Sequence, residues 1–335
     1  MVTWKRLQDD APGEDWDAWL AQAPDANPFQ ARAWAGHKRA AGWRAERWAA
    51  YGGAGERLAC LQALVKPLPF GRKLAWAPGG PLAGSAPDAL APALDAWLKG
   101  FRSTGGIYFR CRCHLPLSPE RAAAMSACLR RPVVAINSGK TLLHDLSGAL
   151  PELRARMSSK HRYYVKQAEK AGLSWDRGHS KEHGRAFLAL YEELARAKGI
   201  GGRLFPPSSI ESLRRSFDED CLILLGRKDG APVSGCLVLL AGGSAFYLMA
   251  ATNAAGRKLS AAYAMVPALF EALKGRGVSR FDFGGIDPAS KGSSGVDHFK
   301  RGFGGVETDY LGEWDWSSPS WAHPLLSAAA GLKAS

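Results

Sequence analysis

The amino-acid sequence predicts a mixed α/β protein made of two similar units in tandem. A typical domain has about 150 residues, so a chain of 335 residues suggests two domains. Its composition, 46% hydrophobic and 22% charged, is that of a globular chain able to bury a core. The predicted helices and strands follow the same order in each half of the chain. These observations exclude a disordered, collagen-like or disulfide-scaffolded protein and favour an internal duplication.

Hydrophobic periodicity defines the elements of the first half. Helical patterns predict helices over 16–21, 30–41, 87–101 and 119–130. Extended patterns predict strands over 44–51, 58–66, 73–77, 107–113, 133–136 and 141–145.

The second half repeats this order. Helices are predicted over 151–171, 181–197, 208–217, 259–274 and 294–301. Strands are predicted over 173–176, 221–226, 233–240, 244–251, 280–283 and 308–316. The stretch 231–256 is uncharged and resembles a membrane span, but Ala241-Gly-Gly-Ser244 lies near its middle. Because strand-forming residues flank these glycines, we expect a β-hairpin.

Both halves thus contain helices, a meander of strands, a helix, a strand, a helix and a strand. This order matches the GNAT-type (acyl-CoA N-acyltransferase-type) fold, whose central strands splay apart to admit an acyl donor and acceptor. The sequence therefore predicts two tandem GNAT-like domains. No stretch has the length or heptad pattern of a coiled-coil arm. Fold alone does not define the chemistry, because GNAT-like cores serve several acyl transfers.

The charge balance favours an anionic partner. Lysine and arginine total 44 against 31 acidic residues, a net charge of +13 with a pI near 9.6. Phosphate groups, nucleic acid or a membrane surface would suit this excess. An arginine-rich composition can also raise the pI without any partner.

The cysteines are expected to be core residues rather than disulfides or metal ligands. The six are Cys60, Cys111, Cys113, Cys128, Cys221 and Cys236. Most have apolar neighbours, as small core residues of a reducing compartment do. Cys111-Arg-Cys-His114 lacks a second Cys/His pair at zinc-finger spacing, so no metal is predicted. Met1-Val-Thr-Trp-Lys-Arg6 has no apolar signal-peptide core, so we expect a cytoplasmic protein.

The most informative stretch lies near the C-terminus. Arg280-Phe-Asp-Phe-Gly-Gly-Ile-Asp287 is a strand that ends in a double glycine, where the chain can turn sharply and a ligand can approach. Gly295-Val-Asp-His-Phe-Lys-Arg-Gly-Phe-Gly-Gly305 follows as a short helix, then Tyr310-Leu-Gly-Glu-Trp314. Taken singly, these residues describe a helix that buries Phe299 and Phe303 and exposes two cations.

Taken in order, these segments resemble the C-terminal signature of the FemABX family, the aminoacyl-tRNA-dependent transferases that build peptidoglycan interpeptide bridges. Ser159-Lys-His-Arg-Tyr-Tyr-Val-Lys-Gln-Ala-Glu-Lys-Ala-Gly-Leu173 is similar to the basic helix that opens the family's second domain. Phe29-Gln30, Trp34-Ala-Gly-His-Lys38 and Trp43 are similar to its N-terminal element. Ala77-Pro-Gly-Gly-Pro81 occupies the place of a Pro-Arg-Gly-Pro turn. Gly79 replaces the arginine there, so no role of that arginine carries over.

The resemblance implies an enzyme that transfers an amino acid from aminoacyl-tRNA to an amino group on the stem peptide of a cell-wall precursor. The acceptor would be UDP-MurNAc-pentapeptide or its lipid-linked form. The absence of an arm corresponds to the FemX-like type and favours the soluble, UDP-linked acceptor. It implies no cofactor, no stable protein partner and at most a peripheral membrane contact. The implied domains are 1–146, completed by 317–335, and 147–316.

The chemistry of this reaction points to Lys300. An amine that attacks an aminoacyl ester passes through a tetrahedral oxyanion, which needs a nearby positive charge or hydrogen-bond donor. Lys300, beside Phe299, is the candidate, and Asp282 or Asp287 is a candidate base. Asp282 could equally satisfy backbone donors at a strand end. No Ser-His-Asp or Cys-His arrangement is readable, which favours direct transfer without an acyl-enzyme.

The resemblance also implies binding residues for both substrates. The acceptor candidates are Lys38, Trp34, Arg203, Tyr247, Tyr263 and Ser260. The tRNA candidates are Lys160, Arg162, Lys166 and Arg301. Residues 151–215 contain 14 lysines and arginines against 7 acidic residues, a net +7 that suits tRNA phosphates. Solvated cations and packed core tyrosines are the alternatives.

Two other functions compete with this one. The first is an N-acyltransferase that uses acyl-CoA, although Asn253-Ala-Ala-Gly-Arg-Lys-Leu-Ser-Ala261 matches the pyrophosphate loop of such enzymes poorly. The second is a non-catalytic protein that binds RNA or another anionic polymer through a degenerate transferase fold. The intact Phe299-Lys300 block argues against the second.

Overall fold

The chain divides into two α/β units, described by a computed structural model for residues 2–8, 15–83, 87–199, 206–289 and 294–334. The first unit comprises residues 1–140 and 308–335, and the second comprises residues 141–307. Helices and strands both contribute heavily to each unit. The predicted mixed α/β class is therefore confirmed.

The first unit is built on an antiparallel meander that is extended by one parallel step. Its strands, numbered along the chain, are β1 (Thr3–Leu7), β2 (Arg44–Tyr51), β3 (Arg57–Pro67), β4 (Lys73–Pro78), β5 (Leu82–Ala83), β6 (Gly106–Pro116) and β13 (Val306–Ser317). Its helices are α1 (Trp16–Gln22), α2 (Arg32–Arg39), α3 (Leu90–Ser103), α4 (Pro119–Ser126) and α12 (His323–Ala334). The sheet order is β1-β2-β3-β4-β6-β13, with β5 on β3. Only β4 and β6 pair in parallel among these described strands.

The second unit repeats the pattern. Its strands are β7 (Lys140–Asp145), β8 (Ser174–Gly178), β9 (Cys221–Lys228), β10 (Ala231–Ala241), β11 (Ser244–Thr252) and β12 (Arg280–Gly285). Its helices are α5 (Leu150–Ala155), α6 (Ser159–Lys170), α7 (Lys181–Lys198), α8 (Pro207–Phe217), α9 (Ala254–Lys258), α10 (Ala261–Lys274) and α11 (Ser294–Arg301). The sheet order is β7-β12-β11-β10-β9-β8, with β11 and β12 parallel.

The predicted domain boundary assigned residues 308–316 to the second domain, whereas strand β13 joins the sheet of the first unit. It pairs antiparallel with β6, and Trp314 lies opposite Cys111. Residues 308–316 therefore belong with 317–335 in the first unit. The chain leaves the first unit after β6 and α4 and returns to it at the end.

Of two uncharged or apolar stretches predicted to contain strands, one forms them and the other does not. The hairpin predicted within 231–256 is confirmed, because β10 and β11 pair antiparallel across Gly242 and Gly243. The strand predicted over 133–136 is wrong. The amide of Val133 donates to Ser327 Oγ and that of Ile136 to Glu313 Oε2, so side chains satisfy donors that a strand partner would otherwise use.

Local backbone geometry changes two predicted helices, interrupting one and delaying the start of the other. The helix over 151–171 breaks into α5 and α6, because Ser158 is extended and its hydroxyl accepts the His161 amide. The helix over 259–274 begins at Ala261, preceded by the short α9. Asn253 caps α9 by accepting the Gly256 amide at 2.9 Å. Ser260 separates the two helices with a left-handed φ of 54°.

The cysteines pack as expected. All six are free, five are buried and Cys128 is half-buried. Burial raises the pKa of the Cys60 thiol to about 12 and that of the Cys128 thiol to about 11. No three His, Cys, Asp or Glu side chains converge on a common point within the described ranges. In the same ranges, no helix combines the length and apolarity needed to cross a bilayer.

A buried ion pair fastens the C-terminal segment to the first unit. Arg110 on β6 and Asp315 on β13 are 3% and 0% exposed. The guanidinium donates to both carboxylate oxygens at 2.7 and 2.9 Å. The Ser327 hydroxyl, on α12, donates to the same carboxylate at 2.5 Å. The Asp315 carboxylate therefore links β13 to β6 and to α12, although Arg110 and Asp315 are 205 residues apart in the sequence.

We expect Arg110→Met to lower the free energy of unfolding by about 3–5 kcal/mol, because it leaves Asp315 buried without its counter-charge. The double variant Arg110→Met/Asp315→Leu should recover much of that loss, since it removes both charges. Urea unfolding of the three proteins measures both effects. A single variant as stable as the double one would contradict this account.

Candidate active site

A turn at the end of β12 organises the candidate site in the second unit. Asp282 is 8% exposed, and its Oδ1 accepts the Gly284 amide at 2.8 Å. The Thr141 hydroxyl donates to the same oxygen. Gly284 has a φ of 78°, and a Cβ there would lie 3.2 Å from the Tyr247 carbonyl oxygen. Glycine is required at this step, and the Asp282 carboxylate fixes its direction.

Lys300 places a cation on this turn. It is carried by α11, and its Nζ donates to the Gly285 carbonyl at 2.7 Å. The Nζ also lies 5.9 Å from the Phe283 ring centroid. Burial lowers the pKa of Lys300 below its ordinary 10.5, while Asp282 and Asp297 oppose that shift. The ammonium is thus partly desolvated, and it has N–H groups besides the one bonded to Gly285 for an anionic group.

His161 anchors the end of α11 to α6. A carbonyl oxygen can only accept, so His161 Nε2 carries the proton and donates to Phe299 O at 3.0 Å. Its Nδ1 accepts from Ser158 Oγ at 2.9 Å. Burial lowers the pKa of this imidazole, which favours the neutral form. His161 is 1% exposed and packs edge-on against Phe303, with centroids 4.8 Å apart.

Gly302 and Gly304, which follow Lys300, are each required for a different steric reason. A Cβ on Gly302 would lie 1.9 Å from the His161 ring. Gly304 has a φ of 84°, and its Cβ would lie 2.3 Å from the Arg156 carbonyl oxygen. The Phe-Lys-Arg-Gly-Phe-Gly-Gly block is therefore a close-packing motif that seats α11 against α5 and α6.

The aromatic candidates surround this block. Tyr247 lies edge-on against Phe283 at 4.8 Å, and burial raises the pKa of its phenol well above 10. Tyr263 lies 5.3 Å from Phe299 and 5.0 Å from His161, and burial raises its pKa as well. The second unit thus brings Asp282, Phe299, Lys300 and both tyrosines into one contact network. Ser260 precedes α10, and its side chain makes no cap bond to that helix.

Trp34 and Lys38 form a second constellation, in the first unit. Both lie on α2, and Lys38 Nζ is 4.8 Å from the Trp34 ring and 5.7 Å from the Trp76 ring. Burial lowers the pKa of Lys38. Trp34 is 4% exposed, and its Nε1 is a buried donor with no hydrogen-bond partner among the described residues. Arg203, the other predicted phosphate contact, lies outside the described residues.

Sequence reasoning did not single out Arg112 and His114 of the first unit as site candidates. Arg112 Nε donates to His114 Nε2 at 3.1 Å, and His114 stacks on Tyr310 with centroids 4.7 Å apart. Arg112 also lies 5.2 Å from the Phe29 ring. The alternation of Arg110, Arg112 and His114 with two cysteines on β6 was the available signal, since alternate residues share one face of a strand. His161, inside a recognised segment, was also missed as an anchor.

The departure at Gly79 has a steric explanation. Its φ is 71°, and a Cβ there would lie 2.0 Å from Asn27 Oδ1. Asn27 Nδ2 in turn donates to the Gly79 carbonyl at 2.7 Å. No side chain fits at this position, so the arginine of the Pro-Arg-Gly-Pro turn has no equivalent here.

The predicted tRNA-binding residues differ in whether they already bind other groups of the protein. Lys160 and Lys166 are exposed on α6, whose buried face is formed by His161, Val165 and Ala168. Arg162 instead donates to the carbonyls of Ala155 and Met157.

Arg301 is also engaged, because its Nε pairs with Glu307 at 2.6 Å. Lys160 and Lys166 have no hydrogen bond or ion pair with the described part of the chain, so they offer charge to an outside partner without breaking one there, whereas the two arginines would have to exchange partners.

We expect Gly302→Ala to lower the free energy of unfolding by about 1–3 kcal/mol, because its methyl group would displace the His161 ring. Gly295→Ala is the matched control on α11, the helix that Gly302 directly follows. A Cβ there has no neighbour within 4 Å, and alanine is the better helix former. Gly295→Ala should therefore be neutral or stabilising. Chemical denaturation compares the two, and equal losses would contradict the packing account.

The comparisons with known proteins agree with this fold. Residues 155–301 match the model of the "Acetyltransferase (GNAT) domain" family. No match was found among curated protein sequences. The solved structure of FemX superposes with a TM-score of 0.83 at 18% identity, covering 96% of this chain and 100% of FemX.

Two further structures superpose over nearly the whole chain. L-PGS from Bacillus licheniformis has a TM-score of 0.55 at 14% identity, covering 98% of each chain. A tandem GNAT protein from the clavulanic acid biosynthesis pathway has a TM-score of 0.54 at 15% identity, covering 95% of this chain and 99% of that protein. These likenesses confirm the predicted tandem GNAT-like architecture. The GNAT domain match supports an acyltransferase. The chain thus carries a GNAT-type domain at residues 155–301 and has, over nearly its full length, the fold of FemX.

Proposed function

We propose that the protein is an aminoacyltransferase that moves an amino acid from aminoacyl-tRNA to the stem-peptide amino group of a peptidoglycan precursor. The product would be the start of an interpeptide bridge. The observation that carries the proposal is the Lys300 ammonium held 2.7 Å from the Gly285 carbonyl at a double-glycine turn. This geometry lies within the segments that resemble the FemABX signature, and the FemX fold is consistent with it.

The turn suits aminolysis of an ester. The acceptor amine attacks the aminoacyl carbonyl carbon, and the ester C–O bond to the terminal ribose breaks as the amide forms. The amine proton passes to the departing ribose oxygen, so no oxidant or cofactor is needed. After the attack and before the C–O bond breaks, the intermediate carries an oxyanion, and Lys300 donates a hydrogen bond to it. Because Lys300 is half-buried, part of its hydration is already lost, and less solvent must reorganise when the charge develops.

Asp282 and Phe299 support this site rather than take part in bond making. The Asp282 oxygen that faces the turn is occupied by Thr141 and Gly284. Phe299 packs 5.0 Å from Phe303 and accepts the His161 hydrogen bond through its carbonyl. We therefore assign both as positioning residues for Lys300.

We assign tRNA binding to the exposed face of α6. Lys160 and Lys166 lie there, together with Lys170 and the 58% exposed Tyr163. Lysines that neutralise phosphates release counterions, so the affinity for tRNA should fall steeply with salt. The tyrosine adds a surface on which an unpaired base can stack.

We assign the precursor's diphosphate to Lys38, with Trp34 beside it. A lysine desolvated between two indole rings gains more from an anion than a hydrated one does. Tyr247, Tyr263 and Ser260 are assigned to substrate contacts around the turn. Arg203 retains its assigned role as a phosphate contact on the strength of the resemblance alone.

The matched acetyltransferase model favours one alternative, an N-acyltransferase that uses acyl-CoA. The start of α9 argues against it. In that alternative the pyrophosphate would bind free amides at the helix that follows β11. Here Asn253 Oδ1 already accepts the Gly256 amide at 2.9 Å.

We expect Lys300→Met to reduce aminoacyl transfer about 100- to 1000-fold, the usual loss when an oxyanion donor is removed. The assay uses a pool of labelled aminoacyl-tRNA with UDP-MurNAc-pentapeptide, and in parallel with the lipid-linked precursor. Lys228→Met is the control, because Lys228 lies at the end of β9, three strands from β12. Its activity should be unchanged.

Transfer only to the lipid-linked precursor would keep the reaction and change the acceptor. No transfer to either acceptor, together with stabilisation by acetyl-CoA, would replace the proposal with the acyl-CoA alternative.

The pH dependence tests the charge state of Lys300. Its lowered pKa predicts that the alkaline fall in transfer rate begins below pH 10.5. Asp297→Asn removes an anion that stabilises the ammonium, so the fall should move to still lower pH. Asp229→Asn, on the β9–β10 turn, serves as the control. An alkaline limb that Asp297→Asn leaves unmoved or raises would contradict the role of Lys300 as a cation.

A further inference from the structure

Three segments of the first unit meet at one end of its sheet. The amide of Lys73, at the start of β4, donates to the Gly105 carbonyl at 3.0 Å. A Cβ on Gly105 would lie 2.2 Å from the Gly71 carbonyl oxygen. The Ser318 amide, just after β13, donates to the Ile107 carbonyl at 2.9 Å. The β3–β4 turn, the α3–β6 turn and the segment that leads into α12 are thus adjacent.

This end exposes large apolar side chains. Phe70, at the tip of the β3–β4 turn, is 99% exposed, and Trp321 and Leu325 are 76% and 71% exposed. Phe70 also has a φ of 60°, which bulky residues disfavour. A ring with no contacts in an unfavourable backbone conformation does not stabilise the free protein. Exposed apolar side chains mark an interaction surface where several of them lie together.

The same end is uniformly basic. Lys66, Arg72 and Arg102 are exposed and Lys73 is half-buried, and among the described residues none of these four forms an ion pair. The stretches 57–87, 96–119 and 316–335, which supply this surface, contain no aspartate or glutamate. Exposed aromatic side chains ringed by cations without carboxylates match a bilayer that carries anionic headgroups, where tryptophan occupies the interface and lysine and arginine meet phosphates.

We propose that this end of the first unit, formed by Phe70, Trp321 and Leu325 with the four cations around them, is a peripheral docking surface for an anionic lipid bilayer. Phe70 and Trp321 enter the headgroup region, and the cations bind lipid phosphates. This surface binds through side chains at the headgroup level and through charge, so binding is reversible and weakened by salt. The proposal does not depend on the identity of the acyl donor or acceptor.

Flotation of the full chain with vesicles tests the surface. The wild type should bind vesicles of phosphatidylcholine mixed with phosphatidylglycerol and leave vesicles of phosphatidylcholine alone. Phe70→Asn should weaken binding about tenfold through lost apolar burial, and asparagine keeps the left-handed conformation accessible. Arg72→Gln/Arg102→Gln should weaken it about thirtyfold, at about 1 kcal/mol per basic residue.

The control is Leu117→Ser, which removes a 45% exposed apolar side chain just beyond the other end of β6. Its binding should equal that of the wild type. Failure of the wild type to bind anionic vesicles, or full binding by Phe70→Asn, would overturn the proposal. A double arginine variant that loses affinity for tRNA but keeps its affinity for vesicles would also overturn it and assign the surface to RNA. Circular dichroism confirms that each variant is folded.

Discussion

Two hydrogen bonds to one oxygen of Asp282 determine where β12 turns, and the candidate site depends on that turn. The Gly284 amide and the Thr141 hydroxyl converge on this oxygen, so the strand ends with the Gly285 carbonyl facing Lys300. The lysine is held from the other side, because His161 ties the end of α11 to α6. The end of β12 and the end of α11 thus fix the position of the Lys300 ammonium from two sides. Neither anchor needs to touch a substrate to affect the reaction.

Each unit contains a lysine in the same kind of environment. Lys300 and Lys38 both lie close to aromatic rings, and burial lowers the pKa of both. Such a lysine has lost part of its hydration during folding, so part of the cost of desolvating it is already met when an anion arrives. The repeated device suits a protein whose proposed substrates both bear phosphates. It also explains why neither lysine is simply a solvated surface cation.

Local patterns predicted those parts of the structure that depend on neighbouring residues. Alternation predicted β2 with its observed bounds, and the periodicity of 294–301 predicted α11. Contacts between distant residues were beyond such patterns. The 133–136 segment is apolar enough for a strand, but Glu313 and Ser327 take its amides from across the first unit. The stacking of His114 on Tyr310 likewise depends on β13 lying beside β6. Lys300 was predicted from its segment, whereas the anchoring contacts of His161 depend on its tertiary partners.

The return of β13 to β6 has a consequence for how the chain folds during synthesis. The whole of the second unit is translated before residues 308–335, so the first unit waits for its last strand and helix. Until then the Arg110 guanidinium has no Asp315, and the edge of β6 is unpaired. Nascent chains fold from their N-terminus at the pace of translation. The second unit therefore has all the residues of its own hydrophobic core before the first unit does, and the emergence of residues 308–335, rather than that of β6, completes the first unit.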